Sequence, residues 1–377
     1  MASALDPFSF STQRLLVSLS SQHLCVLRRR KKFFDESMPL PVNECNFPPQ
    51  PFVGRQVELH CAFKCFSEGR RCVTLTGARG NGKSALASRL AAHLKPRHLF
   101  CHILQLDLSA RSEVLAAVRD RQNTLSPLPL PPPPPPEELR RSLCKVVEEA
   151  LNKTKNMESS TPSPSSPGSA SGSDPEELRW SRRLTPSVAD LRDLIENLVA
   201  LCSLRFKRTE QRPLLLVVDG ADAWCEPLVE FLNRLFHQCE LVRVLSTCCT
   251  GLAAAAASQL DAVAERQIKV EPLNATEAAE LLVRAAPRPL KASEIGISVS
   301  GQQALSWDGA LMRLANQQAL KKLKGHPRAI KCFVEHLGTL EDSISSGDAG
   351  GRSSIDQSAS ASSSVLLNDL VETAKEC

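Results

Sequence analysis

Residues 77 to 84 read Gly-Ala-Arg-Gly-Asn-Gly-Lys-Ser, and the segments on either side decide what that stretch means. Before it, Cys72-Val-Thr-Leu-Thr76 is a short apolar run of strand type. After it, Leu86, Leu90 and Leu94 recur every four residues and line one face of a helix from Ser84 to Leu94. A strand that runs through a glycine-rich turn into a helix brings several backbone amides to one point, with the positive end of the helix behind them. The pattern predicts a phosphate cradle built from Gly77, Ala78, Arg79, Gly80, Asn81, Gly82, Lys83, Ser84 and Ala85. Lys83 is expected to reach the β- and γ-phosphates of a nucleoside triphosphate, and the Ser84 hydroxyl to ligate Mg²⁺.

Working outward, His102 to Leu106 reads as a second strand, with Asp107 just past its end. Leu214 to Val218 is a continuous apolar run, as expected of a strand covered on both faces. An acid directly after five apolar strand residues is costly to bury without a partner, so Asp219 is expected as a further Mg²⁺ ligand. Asp222, three residues on, is the nearest acid able to orient or deprotonate a water; with Lys83 it makes the candidate catalytic pair. A helix over Pro227 to Phe236, a strand from Leu241 to Leu245 and a last strand near Ile268 to Val270 complete an alternation that predicts an α/β fold. Its expected form is a doubly wound parallel sheet with right-handed crossovers.

Beyond that strand the chain turns helical. Asn274-Ala-Thr-Glu277 has the spacing of a capping box. Leu311, Leu314 and Leu323 predict a later helix that Gly325 ends, and Pro327 opens the next. The organisation expected is a basic, Ser-rich leader over 1–47, a core over 48–272, a small C-terminal helical lid over 273–340 and a mostly disordered tail over 341–377. The core is interrupted by a Pro/Ser-rich insertion, 123–176, which reads as disordered because its composition offers too little apolar surface to offset ordering. Within it stand the prolines from Pro131 to Pro136, a spacer or a docking segment for a WW-type module, and a charged helix candidate, Glu137 to Asn152. Ser187 to Leu204 reads as a helix with Leu191, Leu194, Leu198 and Leu201 on one face.

The formal charge of +5 is matched by the first 33 residues alone, where Arg14, Arg28, Arg29, Arg30, Lys31 and Lys32 face a single acid, Asp6. The rest is near neutral, which argues against a distributed nucleic-acid surface. The cluster Arg28 to Lys32 is a solvated charge run, a nuclear address or a contact for an acidic surface, and the leader's composition also fits an organelle transit peptide. The 14 cysteines include no pair of close doublets at zinc-ligand spacing, so they read as reduced thiols of a cytoplasmic protein. No stretch approaches the ~20 apolar residues of a membrane helix.

Val53-Gly-Arg55, the glycine-rich loop, the strand ending in Asp219-Gly-Ala-Asp222, the strand Val242 to Thr247 and Gly325-His-Pro327 recur in this order in the STAND class of AAA+-related P-loop NTPases, which includes the NACHT and NB-ARC proteins. The chain resembles that class over about residues 50 to 338. The resemblance implies that ATP or ADP is the nucleotide, that Val53, Gly54 and Arg55 line the base and ribose site, and that Pro327 packs on the adenine from the lid. It further implies a nucleotide-dependent signalling switch with protein partners or self-association in the ATP state. Asp219-Gly-Ala-Asp222 looks more like the NACHT form. Ala223 stands where the class has another acid, and Cys248 where a sensor Arg follows Ser246-Thr247, so any ATPase activity is expected to be slow. Two rival readings remain: a steadily hydrolysing AAA+-like ATPase of the origin-recognition type, and a degenerate scaffold that holds ADP.

Overall fold

The computed structural model describes residues 42–43, 51–109, 135–159, 194, 196, 198, 212–255, 265–287 and 307–335. By compactness the chain divides into two units, 1–40 and 41–377, and every described residue lies in the second. Its order is β1 (Val42–Asn43), α1 (Gln56–Ser67), β2 (Cys72–Thr76), α2 (Lys83–Leu94), β3 (His102–Asp107), α3 (Pro136–Ser159), β4 (Leu214–Asp219), α4 (Cys225–Gln238), β5 (Val242–Cys248), β6 (Arg266–Lys269), α5 (Ala275–Ala285), α6 (Trp307–Ala315), α7 (Gln318–Lys322) and α8 (327–335).

The six strands form one sheet in the order β1-β3-β4-β5-β2-β6, and every pairing is parallel. This is the doubly wound α/β sheet expected from the alternation. β2 sits between β5 and β6, although β3 is the next strand after it in sequence. The order therefore reverses around β2, and a crevice opens at the carboxyl ends of the strands beside it, where sheets of this type bind ligands.

Burial follows from the two-residue period. In β4, Leu214, Leu216 and Val218 join a core with Leu228, Leu232 and Leu235 of α4, while the alternate residues Leu215 and Val217 are equally buried toward the opposite face. Helices α1 and α2 pack on that other face, over β2, β4, β5 and β6. A sheet covered on both sides needs strands apolar throughout, which is why β2 and β4 are buried at every residue.

Three expectations need correction. The insertion 123–176 is not disordered throughout: the helix candidate Glu137 to Asn152 forms within α3, whose Leu139, Leu143, Val147 and Ala150 are buried in the β4 and α4 core. Their spacing of four, four and three gives one narrow apolar stripe, which charged neighbours such as Arg140, Arg141, Lys145 and Glu148 hide in any average of composition. The leader 1–47 supplies β1, whose Val42 and Asn43 pair with His102 and Ile103 at the sheet edge. Leu311 and Leu323 do not share a helix, because the extended backbone at Gln317 (ψ 140°) breaks α6 from α7.

The lid has its own core, in which Leu281, Leu282, Leu311, Leu314, Leu320, Leu323, Ile330 and Phe333 are buried together with Val53 from the other end of the chain. The capping box forms as expected: Asn274 accepts from the Glu277 amide at 2.8 Å, and Glu277 from the Asn274 amide at 3.1 Å. Leu194 and Leu198 are helical and buried in the main core. The proline run up to residue 134, Leu191 and Leu201, residues 1–41 and the tail lie outside the described residues. No described helix is long and apolar enough to cross a membrane.

Candidate functional site

β2 delivers the chain into the glycine-rich turn at the carboxyl edge of the sheet. Gly77 has φ +145°, and a Cβ there would lie 2.3 Å from the Val270 carbonyl oxygen, so only glycine fits between β2 and the end of β6. Lys83 is the first residue of α2 and is largely buried; its ammonium donates to the carbonyls of Gly77 at 2.8 Å and Ala78 at 3.0 Å. The turn thus closes on its own lysine, with Cys249 Sγ 4.0 Å from the same nitrogen.

Asn81 joins this turn to two other segments. Its side-chain amide donates to the Val270 carbonyl at 2.9 Å, and its own carbonyl accepts from Arg55 Nη2 at 3.0 Å. Arg55 also pairs with Glu58 at 2.9 Å, and these bonds hold it in a left-handed backbone conformation (φ 66°) that costs a residue with a Cβ some strain. Beside it, a Cβ on Gly54 would lie 2.4 Å from Glu277 Oε1, so the segment before α1 touches the first helix of the lid.

The acids stand on the opposite wall. Asp219 ends β4, is 8% exposed, and accepts from the Thr247 hydroxyl at 2.5 Å, while the Gly220 amide donates to that hydroxyl at 2.8 Å. Asp222 Oδ1 accepts from the Cys249 amide at 2.5 Å and from the Cys248 thiol at 3.1 Å. Cys225 Sγ lies 3.5 Å from Cys248 Sγ, and that contact together with burial pushes the Cys248 thiol far above its ordinary range. Burial and the neighbouring Asp222 also raise Cys249, against the opposing pull of Lys83. The Cys248 and Cys249 thiols are therefore uncharged, and Asp222 is held by the Cys248 thiol and the Cys249 backbone amide.

Between the walls lies a cavity of about 520 Å³. It brings together most of the residues expected from sequence: Val53, Arg55, Arg79, Gly80, Asn81, Gly82, Lys83, Ser84, Ala85, Asp222 and Pro327 all line it. Gly54, Gly77, Ala78 and Asp219 stand behind the lining, and Asp219 reaches the cavity through Thr247, which does line it. Sequence reading missed Thr247, Ser109, Arg328, Lys331 and Glu335. Position at the end of a buried strand was the available signal for Thr247, and adjacency to Pro327 for Arg328. Among the charged lining residues, Arg55, Arg79, Lys83, Arg328 and Lys331 outnumber Asp222 and Glu335, which suits a polyanion.

The AAA ATPase domain family matches residues 51–247, just over half of the chain. No curated protein matches by sequence. Among solved structures, the chain is similar to a Walker-type ATPase of Pyrococcus abyssi, with 14% identity, 91% of this chain and 79% of that chain covered, and a TM-score of 0.47. It is also similar to the Holliday junction branch migration motor RuvB of Thermotoga maritima, with 13% identity, 86% and 70% covered, and a TM-score of 0.36. PCH-2 of C. elegans is similar at 13% identity, 81% and 60% covered, with a TM-score of 0.35.

Proposed function

The chain belongs to the AAA ATPase domain family, and from that premise we propose that this nucleotide-binding P-loop NTPase is a regulatory switch in which ATP or ADP with Mg²⁺ sets the position of the helical lid. The observation that carries the proposal is that one cavity is walled by the phosphate loop of the core and by Pro327, Arg328, Lys331 and Glu335 of the lid. A nucleotide along it touches both, so a change at its terminal phosphate alters contacts on both sides, which is what shifts a two-state equilibrium.

Each residue has a part in this reading. Gly77 to Ala85 present backbone amides to the phosphates, and Lys83 exchanges two neutral carbonyls for charged phosphate oxygens, which are stronger acceptors. Val53, Gly54, Arg55 and Pro327 hold the base and ribose. Ser84 and Asp219 would hold Mg²⁺, a role that suits a buried carboxylate kept in one rotamer by Thr247. When bound, the metal would neutralise charge on the β- and γ-phosphates. Asp222 orients the attacking water. Two features support slow hydrolysis: Ala223 stands where the resembled class has another acid, and Asp222 Oδ1 is already engaged by Cys249 and Cys248.

Within the family we place the chain with the STAND-class, NACHT-like members, on the order of its motifs, and expect a protein partner or self-association in the ATP form. The organisation proposed is a leader to residue 47, a core to 272 that contains α3, a lid to 340 and a tail, in a cytoplasmic setting that suits the free thiols. A second reading, a steadily hydrolysing AAA+ ATPase, is favoured by Arg328, a lid cation beside the loop tip.

Calorimetry with ATP and ADP in magnesium, on the wild-type chain and Lys83→Ala, followed by phosphate release on the same samples, tests the proposal. Binding by the wild type alone with release slower than about one per minute supports the switch; turnover on the scale of typical enzymes, about 1–10³ s⁻¹, supports the motor. Absence of binding in both removes the nucleotide role.

A further inference from the structure

The lid grips the tip of the phosphate loop through two backbone carbonyls. His326 Nε2 stands 2.6 Å from the Arg79 carbonyl oxygen. A carbonyl oxygen only accepts, so this ring nitrogen carries the hydrogen whether the imidazole is neutral or charged. One residue further along the loop, the Gly80 carbonyl accepts from the Arg328 amide at 3.3 Å. The packing is as close as chain allows, since a Cβ on Gly80 would lie 2.2 Å from His326 Cε1 and 3.0 Å from Arg328 Cβ. Gly80 lines the nucleotide cavity, but His326 is not among its lining residues.

In a planar trans peptide the C=O and N–H point in opposite directions. Holding the Arg79 carbonyl toward His326 therefore turns the Gly80 N–H away from that ring, which does not line the cavity. We propose that His326 is a positioning residue: from the lid it fixes the Arg79–Gly80 peptide so that the Gly80 amide is presented to a phosphate. Lid closure then preorganises the loop, and nucleotide leaves when this latch lets go. The inference rests on the switch reading and supplies its physical link, because a contact that makes the lid favour tight phosphate binding must by linkage make phosphate favour the closed lid.

The test is the dissociation rate of a fluorescent ADP analogue with magnesium from the full chain, by stopped flow, for wild type, His326→Ala and His326→Gln. The thermal midpoint of each without nucleotide is measured in parallel. Alanine is expected to speed release about fivefold, the scale of one hydrogen bond. Glutamine, whose amide can donate to the same carbonyl, restores the rate to within about twofold of wild type. His326→Phe keeps a ring but cannot donate; it is expected to release like alanine and stands in for it if alanine does not fold. A release rate unchanged in the non-donating variants overturns the latch, as does a glutamine variant no better than they are. If wild type binds and only these expectations fail, the switch reading stands without the latch; if wild type does not bind at all, both fall.

Discussion

Thr247 donates its hydroxyl to Asp219 Oδ1 across 2.5 Å, so the end of β5 determines which way the acid at the end of β4 points. The same hydroxyl accepts from the Gly220 amide. Thr247→Val removes both bonds at nearly constant volume and leaves a buried carboxylate short of a donor, at a cost of about 1–3 kcal/mol. Chemical denaturation should show that loss, and calorimetry should show that ATP binding loses most of its dependence on magnesium. A variant with wild-type magnesium dependence would separate Asp219 from the metal.

Asp222 lines the cavity without holding the phosphate loop in place. Asp222→Asn is therefore expected to bind ATP within about threefold of wild type and to release phosphate at least about tenfold more slowly, on the usual scale of a general base. Equal rates in single-turnover measurements would remove Asp222 from the reaction.

Gly325 ties the last helix of the lid to the residue where the lid begins. Its φ is +69°, a Cβ there would lie 1.9 Å from the Leu273 carbonyl oxygen, and its own carbonyl accepts from the Leu273 amide at 2.8 Å. Because the clash is with backbone, Gly325→Ala is expected to destabilise the lid by roughly 2 kcal/mol or more. Proteolysis should then cut within residues 273–335 first, and a protection pattern like wild type would count against the contact's part in holding the lid together.

Leu143, on the inner face of α3, is fully buried. If α3 is part of the core, Leu143→Ala costs about 2–5 kcal/mol in urea unfolding, as core truncations do. A cost under about 0.5 kcal/mol would mean that α3 is only loosely attached.

His93 lies near the end of α2, edge-on to Phe63 with ring centroids 6.0 Å apart. Burial, with Arg97 and Arg89 nearby, lowers its pKa from 6.5 to about 4. The unfolded chain therefore binds the proton first as pH falls, so stability is full above about pH 6.5 and declines toward pH 4. With the ring half exposed, the loss is about 1 kcal/mol. His93→Gln should flatten that part of the pH–stability curve, and a slope equal to wild type would assign the decline to other groups.

Sequence alone determined the sheet and the phosphate loop, because both are written in local order. A strand covered on both faces must be apolar at every position, and a loop that wraps a phosphate must place glycine where a Cβ would strike Val270. The places of Asp219, Lys83 and Ser84 in the fold were legible for the same reason, as each stands at a fixed offset from a strand end or a helix start. Only tertiary structure decided the partners. Thr247 meets Asp219 across 28 residues, His326 meets Arg79 across 247, and Gly54 meets Glu277 across more than two hundred. It also decided the fate of α3, whose narrow apolar stripe is too small to stabilise a lone helix and becomes a helix face when the β4 and α4 core is there to cover it. Contacts between distant segments depend on how the sheet orders its strands, and no local pattern records that order.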